Sequence, residues 1–454
     1  MLGEKYLLRF KKIMSDADER NLLYNIFLAF FVKGISLFIS LFSMPLYIKY
    51  FDDNAALGMW YTILSMLSWI NLCDLGLGNG LRNRLTEALA LRQNEKAKEY
   101  ISATYAVLCK IIIPISVVIC ILLQFINFNK FFNISDTVVD GHDIKLAMTI
   151  LVVGVCINFI VKVITNVIYA LQKSSLNNVL TLISSILPLI FISVFKGQDV
   201  STNLVLLSVV HVFSINIPLI VASIILFNLE PLNKCRPSFK KISKETAKDT
   251  LNFGLHFFLA QVFFMLLMQT NEIIITNIFS PDYVVEYSVY YKLFTAIGSL
   301  FMLALTPMWS KVTKDFSERK FGKIKKTHKL LSLIALLACA LELLVVPFLQ
   351  IVVNVWLRED AIVIDYMVAI VFAVYGGLYI FNIVLTTIAN GIGEVRSQIV
   401  FYGVGAILKL PVIFVSRNIG LHWSFVVAYT SLVLLVFCIY QFIWINNKIK
   451  KLLT

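Results

Sequence analysis

The sequence predicts an all-α integral membrane protein of about twelve transmembrane helices in two sets of six. Three observations carry this. Of 454 residues, 59% are hydrophobic and only 15% charged, where a soluble domain has about 45–50% apolar and about 25% charged residues. The apolar residues are grouped in runs near the roughly 20 residues that a bilayer-spanning helix needs. Basic residues gather in alternate connections between those runs, the charge pattern of a polytopic chain. Connections this short leave no room for a large soluble domain, so soluble enzyme classes are excluded.

The spans follow from where charge and turn residues interrupt the apolar runs. The first, near 22–47, begins after the charged Asp16–Arg20 segment and ends before Lys49. The second, 57–78, runs into Gly76-Leu77-Gly78-Asn79-Gly80, read as its flexible exit. Spans near 100–126, 146–170, 178–195 and 203–228 complete the first six. The polar stretch Glu230–Thr250 is the longest between spans. Beyond it lie 251–279, 284–309, 329–353, 362–389, 398–415 and 421–445. The domain reading is therefore an N-terminal bundle over 1–228, a cytoplasmic linker over 229–250 and a C-terminal bundle over 251–454. The first run exceeds the core of a signal peptide, so the N-terminal segment is expected to stay on the mature protein.

Orientation follows from Lys and Arg, which are retained on the cytoplasmic side. With both termini inside, the inner segments hold 29 basic residues, including runs at Arg82–Lys98, Lys234–Lys248 and Lys311–Lys329. The outer loops hold six: Lys49, Lys130, Lys145, Lys196, Arg358 and Arg417. This asymmetry accounts for the net charge of +13 and removes the motive for nucleic-acid binding. Six spans per half bring both halves into the membrane in the same direction, so a repeat would be parallel. Ile186-Leu187-Pro188-Leu189-Ile190-Phe191-Ile192-Ser193 resembles Lys409-Leu410-Pro411-Val412-Ile413-Phe414-Val415-Ser416 at a separation of 223 residues, and the same offset lays Lys173-Ser174 on Arg396-Ser397.

Five lysines lie inside the spans: Lys33, Lys110, Lys162, Lys292 and Lys409. A lysine at the bilayer centre costs roughly 2.5–3.5 kcal/mol, so these must line a wet cavity or find partners. Lys33 and Lys409 lie about 16 Å in from the inner end of their helices, too deep for a side chain to reach the interface. Lys110, Lys162 and Lys292 are near enough to a span end for snorkelling to satisfy them. The acids at depth are Glu272, Glu342 and Asp74. Lysine excess predicts an electropositive interior suited to an anionic substrate such as a phosphate, pyrophosphate or uronic acid. Glu272 and Asp74 are candidates for ion or proton coupling, and Pro188 and Pro411 for hinges, although static kinks are as common in membrane helices. His211 and His256 read as buried, satisfied histidines.

The seven cysteines form no CxxC pair and no Cys/His metal spacing, so neither disulfide nor metal site is expected. No Walker sequence is present, and no cofactor is implied. The outer loops are short, the longest running from about Asn127 to Lys145, with no assembly of nucleophile, base and oxyanion donors.

Trp60-Tyr61 through Asp74-Leu75-Gly76-Leu77-Gly78-Asn79-Gly80-Leu81-Arg82-Asn83-Arg84 resembles span 2 and the first inner loop of bacterial Wzx-type O-antigen flippases. So do Gln269-Thr270-Asn271-Glu272-Ile273-Ile274-Ile275-Thr276 and Tyr287-Ser288-Val289-Tyr290-Tyr291-Lys292-Leu293. Thr306-Pro307-Met308-Trp309-Ser310 is similar to that family's motif at the end of span 8, and Asn390-Gly391-Ile392-Gly393 with Arg396 to its loop before span 11. The resemblance implies membership of the multidrug, oligosaccharidyl-lipid and polysaccharide exporter superfamily, whose fold is two six-helix bundles around a central cavity. It implies translocation of an undecaprenyl-pyrophosphate-linked oligosaccharide across the bacterial cytoplasmic (inner) membrane for O-antigen or a related surface polysaccharide. It also implies a cationic cavity, with Lys33, Lys409 and Lys162 toward the pyrophosphate. Where members carry Asp in span 7, this chain has Glu272 after Asn271, which puts a specific coupling role for that carboxylate in doubt.

Competing readings are a cation/drug antiporter of the same superfamily, which would prefer an acidic cavity, and a membrane-embedded polysaccharide polymerase, which would need a larger outer loop. A third is a scaffold for polysaccharide-assembly proteins docking on the basic Lys311–Lys329 segment, which is more simply a topology anchor and a contact for anionic lipid.

Overall fold

The computed structural model describes residues 17–72, 76–132, 134–195, 197, 199–238, 244–279, 282–357 and 362–453. All regular secondary structure among them is helical, and each of the twelve expected spans falls on a helix. The chain divides into two compact units, Met1–Leu255 and His256–Thr454.

The N-terminal unit contains α1 (Ala17–Phe51), α2 (Asn54–Leu72), α3 (Leu77–Ala90), α4 (Asn94–Leu123), the short α5 (Phe128–Phe132), α6 (Gly141–Val161), α7 (Val163–Ala170), α8 (Ser174–Val194) and α9 (Val200–Leu226). Helix α9 packs on α6 and α8, α8 on α1, and α4 on both α6 and α3. Polar clamps hold α1 at its two ends. Asn25 donates to the Gln172 carbonyl at 3.0 Å and accepts from the Ser175 amide at 2.9 Å, while Tyr50 and Asn203 each donate to the other's carbonyl at 3.1 Å. Such side-chain bonds to backbone are worth most where no water can replace them.

Next come α10 (Lys244–Gln269), α11 (Asn271–Ile274), a π-helical turn over Ile275–Phe279, α12 (Asp282–Ser317), α13 (Phe321–Val345), α14 (Leu349–Leu357), α15 (Tyr366–Gly391), α16 (Arg396–Asn418) and α17 (Phe425–Leu453). The first turns of α10 pack on the N-terminal unit: Asp249 accepts from Arg84 at 3.0 Å, and the Arg84 guanidinium lies 4.9 Å from the Phe253 ring centre. In the C-terminal unit α15 is the central helix, packed by α12, α13 and α17. Two-thirds of its apolar window is buried against 17% for α4, whose Ile113, Val117, Val118 and Ile121 are exposed. An apolar face left open by the protein suits hydrocarbon rather than water as solvent.

Among the described residues, ten helices are long and apolar enough to cross a membrane. Helices α1 and α2 carry shorter apolar stretches, Tyr24–Ser36 and Ala55–Leu64. The chain is thus a multi-pass membrane protein. Asp140, Asp199 and Asp365 each cap the start of a helix, accepting from His142 N at 2.8 Å, Thr202 N at 2.6 Å and Met367 N at 2.8 Å. The backbone amide and the side-chain hydroxyl of Thr202 hold the exposed Asp199 carboxyl below its usual range.

The same helix-ending turn recurs in both units. After α3, the amides of Leu91, Arg92 and Gln93 donate to the carbonyls of Glu87, Leu89 and Ala88, with Arg92 left-handed at φ 55°. After α12, Glu318, Arg319 and Lys320 donate to Lys314, Phe316 and Asp315, with Arg319 at φ 57°. The same pattern closes α7 around Gln172 (φ 60°) and α15 around Gly393 (φ 80°). These are helix-ending motifs in which a left-handed residue lets later amides satisfy the last carbonyls.

Two expectations are corrected. The basic segments Arg82–Lys98 and Lys311–Lys329 are not extended loops but helices prolonged beyond the apolar spans, joined by tight turns. Charge marks the end of the hydrocarbon, not of the helix. Likewise, Gly76–Gly80 is not a flexible exit: α3 starts at Leu77 after Gly76 at φ 64°. A Cβ on Gly78 would fall 2.1 Å from the Asn166 side chain, and one on Gly80 3.2 Å from the Gly254 backbone. Close packing, not freedom, requires these glycines.

Gly154 lies where α6 meets α9, and a Cβ there would sit 2.2 Å from a Val212 methyl. Gly154→Ala is expected to destabilise the N-terminal unit by about 1–3 kcal/mol through overpacking, with Val212→Ala in the same chain restoring part of the loss; thermal unfolding in detergent reads both. Asp365→Ala removes a helix cap and should cost about 1 kcal/mol in the same measurement.

Candidate functional site

Lys409 on α16 is the one in-span lysine that the described structure fully encloses, with 1% of its surface exposed. Its ammonium donates to the Leu267 carbonyl at 2.6 Å, Thr270 Oγ1 at 2.9 Å and Asn271 Oδ1 at 2.6 Å. All three acceptors are neutral. They occur together because the seventh span breaks: α10 stops at Gln269, Thr270 forms a turn, and α11 starts at Asn271 before winding into the π-helical turn. The end of an α-helix presents carbonyls with partial negative charge, and a side-chain cation satisfies them there. The lysine thus receives three hydrogen bonds and the field of a helix C-terminus in place of a carboxylate.

The node extends further. Asn271, itself fully buried, donates from Nδ2 to Tyr287 Oη at 3.2 Å and accepts from Thr430 Oγ1 at 3.4 Å. Thr270 also donates to the Leu266 carbonyl at 2.6 Å. Polar groups of α10, α11 and the turn between them thus meet at the ammonium of α16, and α12 and α17 join through Asn271. Tyr287 continues into an aromatic column, its ring 5.4 Å from Tyr291, which lies 6.2 Å from Tyr375, in turn 6.4 Å from Tyr379. Beside the node is a pocket of about 400 Å³ lined by Phe263, Leu266, Thr270, Ile273, Ile407 and Lys409 among others, almost wholly apolar in surface.

The remaining candidates are dispersed. Lys162 is half-buried at the break between α6 and α7, where its carbonyl accepts from Thr165 N and Oγ1. Lys110 on α4 and Lys292 on α12 are exposed, as is Glu272 on α11. Pro188 is buried within α8 and Pro411 exposed within α16, and both helices run through their prolines unbroken. The Lys33 side chain and Asp74 lie outside the described residues. His211 packs edge-on to Trp60 at 5.9 Å in the N-terminal core, and His256 is half-buried. The six described cysteines are free thiols.

Sequence reading located Lys409 by depth but missed the partners that satisfy it. Thr270, Asn271, Tyr287 and Thr430 are common in membrane helices, and only the Thr270-Asn271-Glu272 triplet, polar within an apolar run, signals a break. It also left Glu342 without a role. That carboxyl is 1% exposed, and neither oxygen has a hydrogen-bond partner among the described residues.

Fold and polar node define a polytopic helical membrane protein with the architecture of MATE transporters. The structure of the Vibrio cholerae MATE transporter VcmN in the bent form superimposes with a TM-score of 0.71 at 11% identity, over 95% of this chain and 99% of that one. A transporter of the MOP superfamily from Pyrococcus furiosus, described as having a binding pocket of reverse polarity, also gives 0.71 at 15% identity, over 97% and 98% of the two chains. In sequence, the family model "Polysaccharide biosynthesis protein" matches residues 55–313, and the chain belongs to that family. A Yersinia pseudotuberculosis relative named "Putative O-antigen export protein" is 25% identical over 306 residues, which is 65% of this chain and 66% of that protein. The match thus spans just under two-thirds of the relative's length.

Replacing Lys409 with Met keeps the bulk but takes the lysine donor from the Leu267 carbonyl and leaves Asn271 Oδ1 with only the long bond from Thr430. At about 1–3 kcal/mol per buried group left unpaired, Lys409→Met should lower the thermal stability of the chain more than Thr430→Val, which removes the long bond to Asn271 and a bond to the Val426 carbonyl of its own helix.

Proposed function

We propose that this protein is a flippase that moves an undecaprenyl-pyrophosphate-linked oligosaccharide, the repeat unit of O-antigen or a related surface polysaccharide, across the bacterial cytoplasmic membrane by alternating access. It is a transporter and not an enzyme, it needs no cofactor, and both termini are cytoplasmic. The observation that carries this reading is the pairing of a transporter fold with membership of a polysaccharide biosynthesis family. The name of the Yersinia relative favours export of O-antigen as the cargo.

The chemistry of the cargo agrees. A pyrophosphate needs cations in a water-poor setting, and five in-span lysines against three acids supply them. Lys33, Lys162 and Lys409 are the residues we assign to it, with Lys110 and Lys292 nearer the interface. Lys409 reaches an anion by exchanging one of its three neutral acceptors for a charged oxygen, a stronger bond. The polyprenyl chain stays in hydrocarbon, where its transfer costs nothing. Basic inner segments anchor the topology, and their charge suits anionic lipid or acidic faces of polysaccharide-assembly proteins.

The fold neighbours favour a second reading, since MATE transporters share the architecture. A cation/drug antiporter would present acids to its substrate, and the buried cation at Lys409 argues against that.

Purified protein in liposomes holding a labelled undecaprenyl-pyrophosphate oligosaccharide decides between them. The wild type is expected to expose the sugar on the opposite leaflet, and Lys33→Ala and Lys409→Arg to slow it while the protein stays folded. Extrusion of a cationic dye with no movement of the lipid under any imposed ion gradient would replace this reading by the antiporter. Polymerised sugar would replace it by a polymerase.

A further inference from the structure

The C-terminal unit holds a second buried ionisable group that the node around Lys409 does not use. Glu342 lies on α13, about 20 Å from the inner end of its span and about 16 Å from the outer end at 1.5 Å per residue, deep within the hydrocarbon. Its side chain points into the contact between α13 and the central helix α15 and is 1% exposed. Two glycines of α15 make room for it. A Cβ on Gly376 would fall 2.1 Å from Glu342 Oε2 and 2.5 Å from the Phe294 carbonyl of α12, and one on Gly377 would fall 3.0 Å from Cys339 Sγ. The carboxyl thus fills the space that a side chain at Gly376 would otherwise take.

Among the described residues, no cation bonds to it. On its own helix, the Cys339 thiol donates to the Gly377 carbonyl at 3.0 Å and is occupied there. The titratable groups within three residues of the contact points Phe294, Gly376 and Gly377 are Tyr291 and Lys292 on α12 and Tyr375 and Tyr379 on α15. Of these, only Lys292 is a cation, and it is exposed, whereas Phe294 two residues on is buried. Neither Glu342 oxygen has a hydrogen-bond partner among the described residues. An isolated carboxylate in such a place costs many kcal/mol, and a buried group without a partner neutralises instead. The packing admits the acid and not the anion.

We propose that Glu342 is a proton-binding site whose carboxyl holds its proton while α13 is closed on α15 and releases it to water when the two helices separate. Ionisation converts a group that fits beside Gly376 into one that demands solvation, so the proton is the ligand that stabilises the closed contact. By linkage, a helix movement during transport then takes up or releases one proton. The coupling step rests on the transport reading above; the proton site does not.

The test uses the full chain in lipid membranes. Infrared difference spectra of wild type against Glu342→Gln should show the stretch of a protonated carboxyl in the wild type alone, lost on raising the pH. Glu342→Asp, with a shorter arm, should move the pH of that loss. In liposomes under an imposed pH gradient, flux of labelled undecaprenyl-pyrophosphate oligosaccharide by wild type should respond to the gradient, and that by folded Glu342→Gln should not. Absence of a protonated-carboxyl band that depends on residue 342 overturns the site. A titrating band with a Glu342→Gln flux as gradient-sensitive as wild type overturns the coupling. A titrating band in a wild type that moves no lipid overturns the transport reading and upholds the proton site.

Discussion

The C-terminal unit is organised by one requirement: an ammonium placed near the middle of a bilayer must be satisfied from within the protein. Lys409 meets it by ending a helix. The break at Thr270 exposes carbonyls that a continuous α10 would have used internally, and the lysine takes the place of the missing amide donors. Each half of the arrangement would be costly alone, since a broken helix in hydrocarbon leaves polar backbone bare and a lone lysine there has no counter-charge. Together they cancel. The polar side chains of α12 and α17 that meet at Asn271 follow from the same need, because an amide held by the lysine must have its remaining donor and acceptor filled.

The same logic separates the two buried ionisable groups of this unit. Lys409 has three acceptors within hydrogen-bonding distance; Glu342 has no donor among the described residues and sits against the Cα of a glycine. Both are enclosed to the same degree, 1% exposed. What differs is the neighbouring backbone: the end of a helix beside the lysine, the middle of a tightly packed one beside the carboxyl. A helix middle has no free amide to donate, so an acid there can be made comfortable only by its own proton.

Much of the fold was legible in the sequence because membrane insertion is governed by composition over windows of about 20 residues, which local reading captures. All twelve spans fall on helices where they are described. Helix ends were read less well. The segments after α3 and α12 are basic and looked like loops, yet helix propensity persists past the hydrocarbon edge, and Lys and Arg are good helix formers. Gly78 and Gly80 were read as flexible because the contact that demands them, with Asn166 and Gly254, lies far along the chain.

The candidate site was legible only in part, for a related reason. Depth in a span follows from counting residues, so Lys409 stood out. Partnership does not: Leu267, Thr270 and Asn271 precede Lys409 by well over a hundred residues, and the decisive acceptor is a backbone carbonyl, which no residue name reveals. Glu342 shows the reverse limit. A count of charges treated it as one of three acids available to offset lysines, but the protein packs it against Gly376 and the Phe294 carbonyl, with no hydrogen-bond partner among the described residues. Charge balance summed over a sequence therefore overstates the neutralisation inside a membrane protein. The two enclosed groups of the C-terminal unit, one cation among neutral acceptors and one acid with no partner among the described residues, are thus satisfied separately and not by each other.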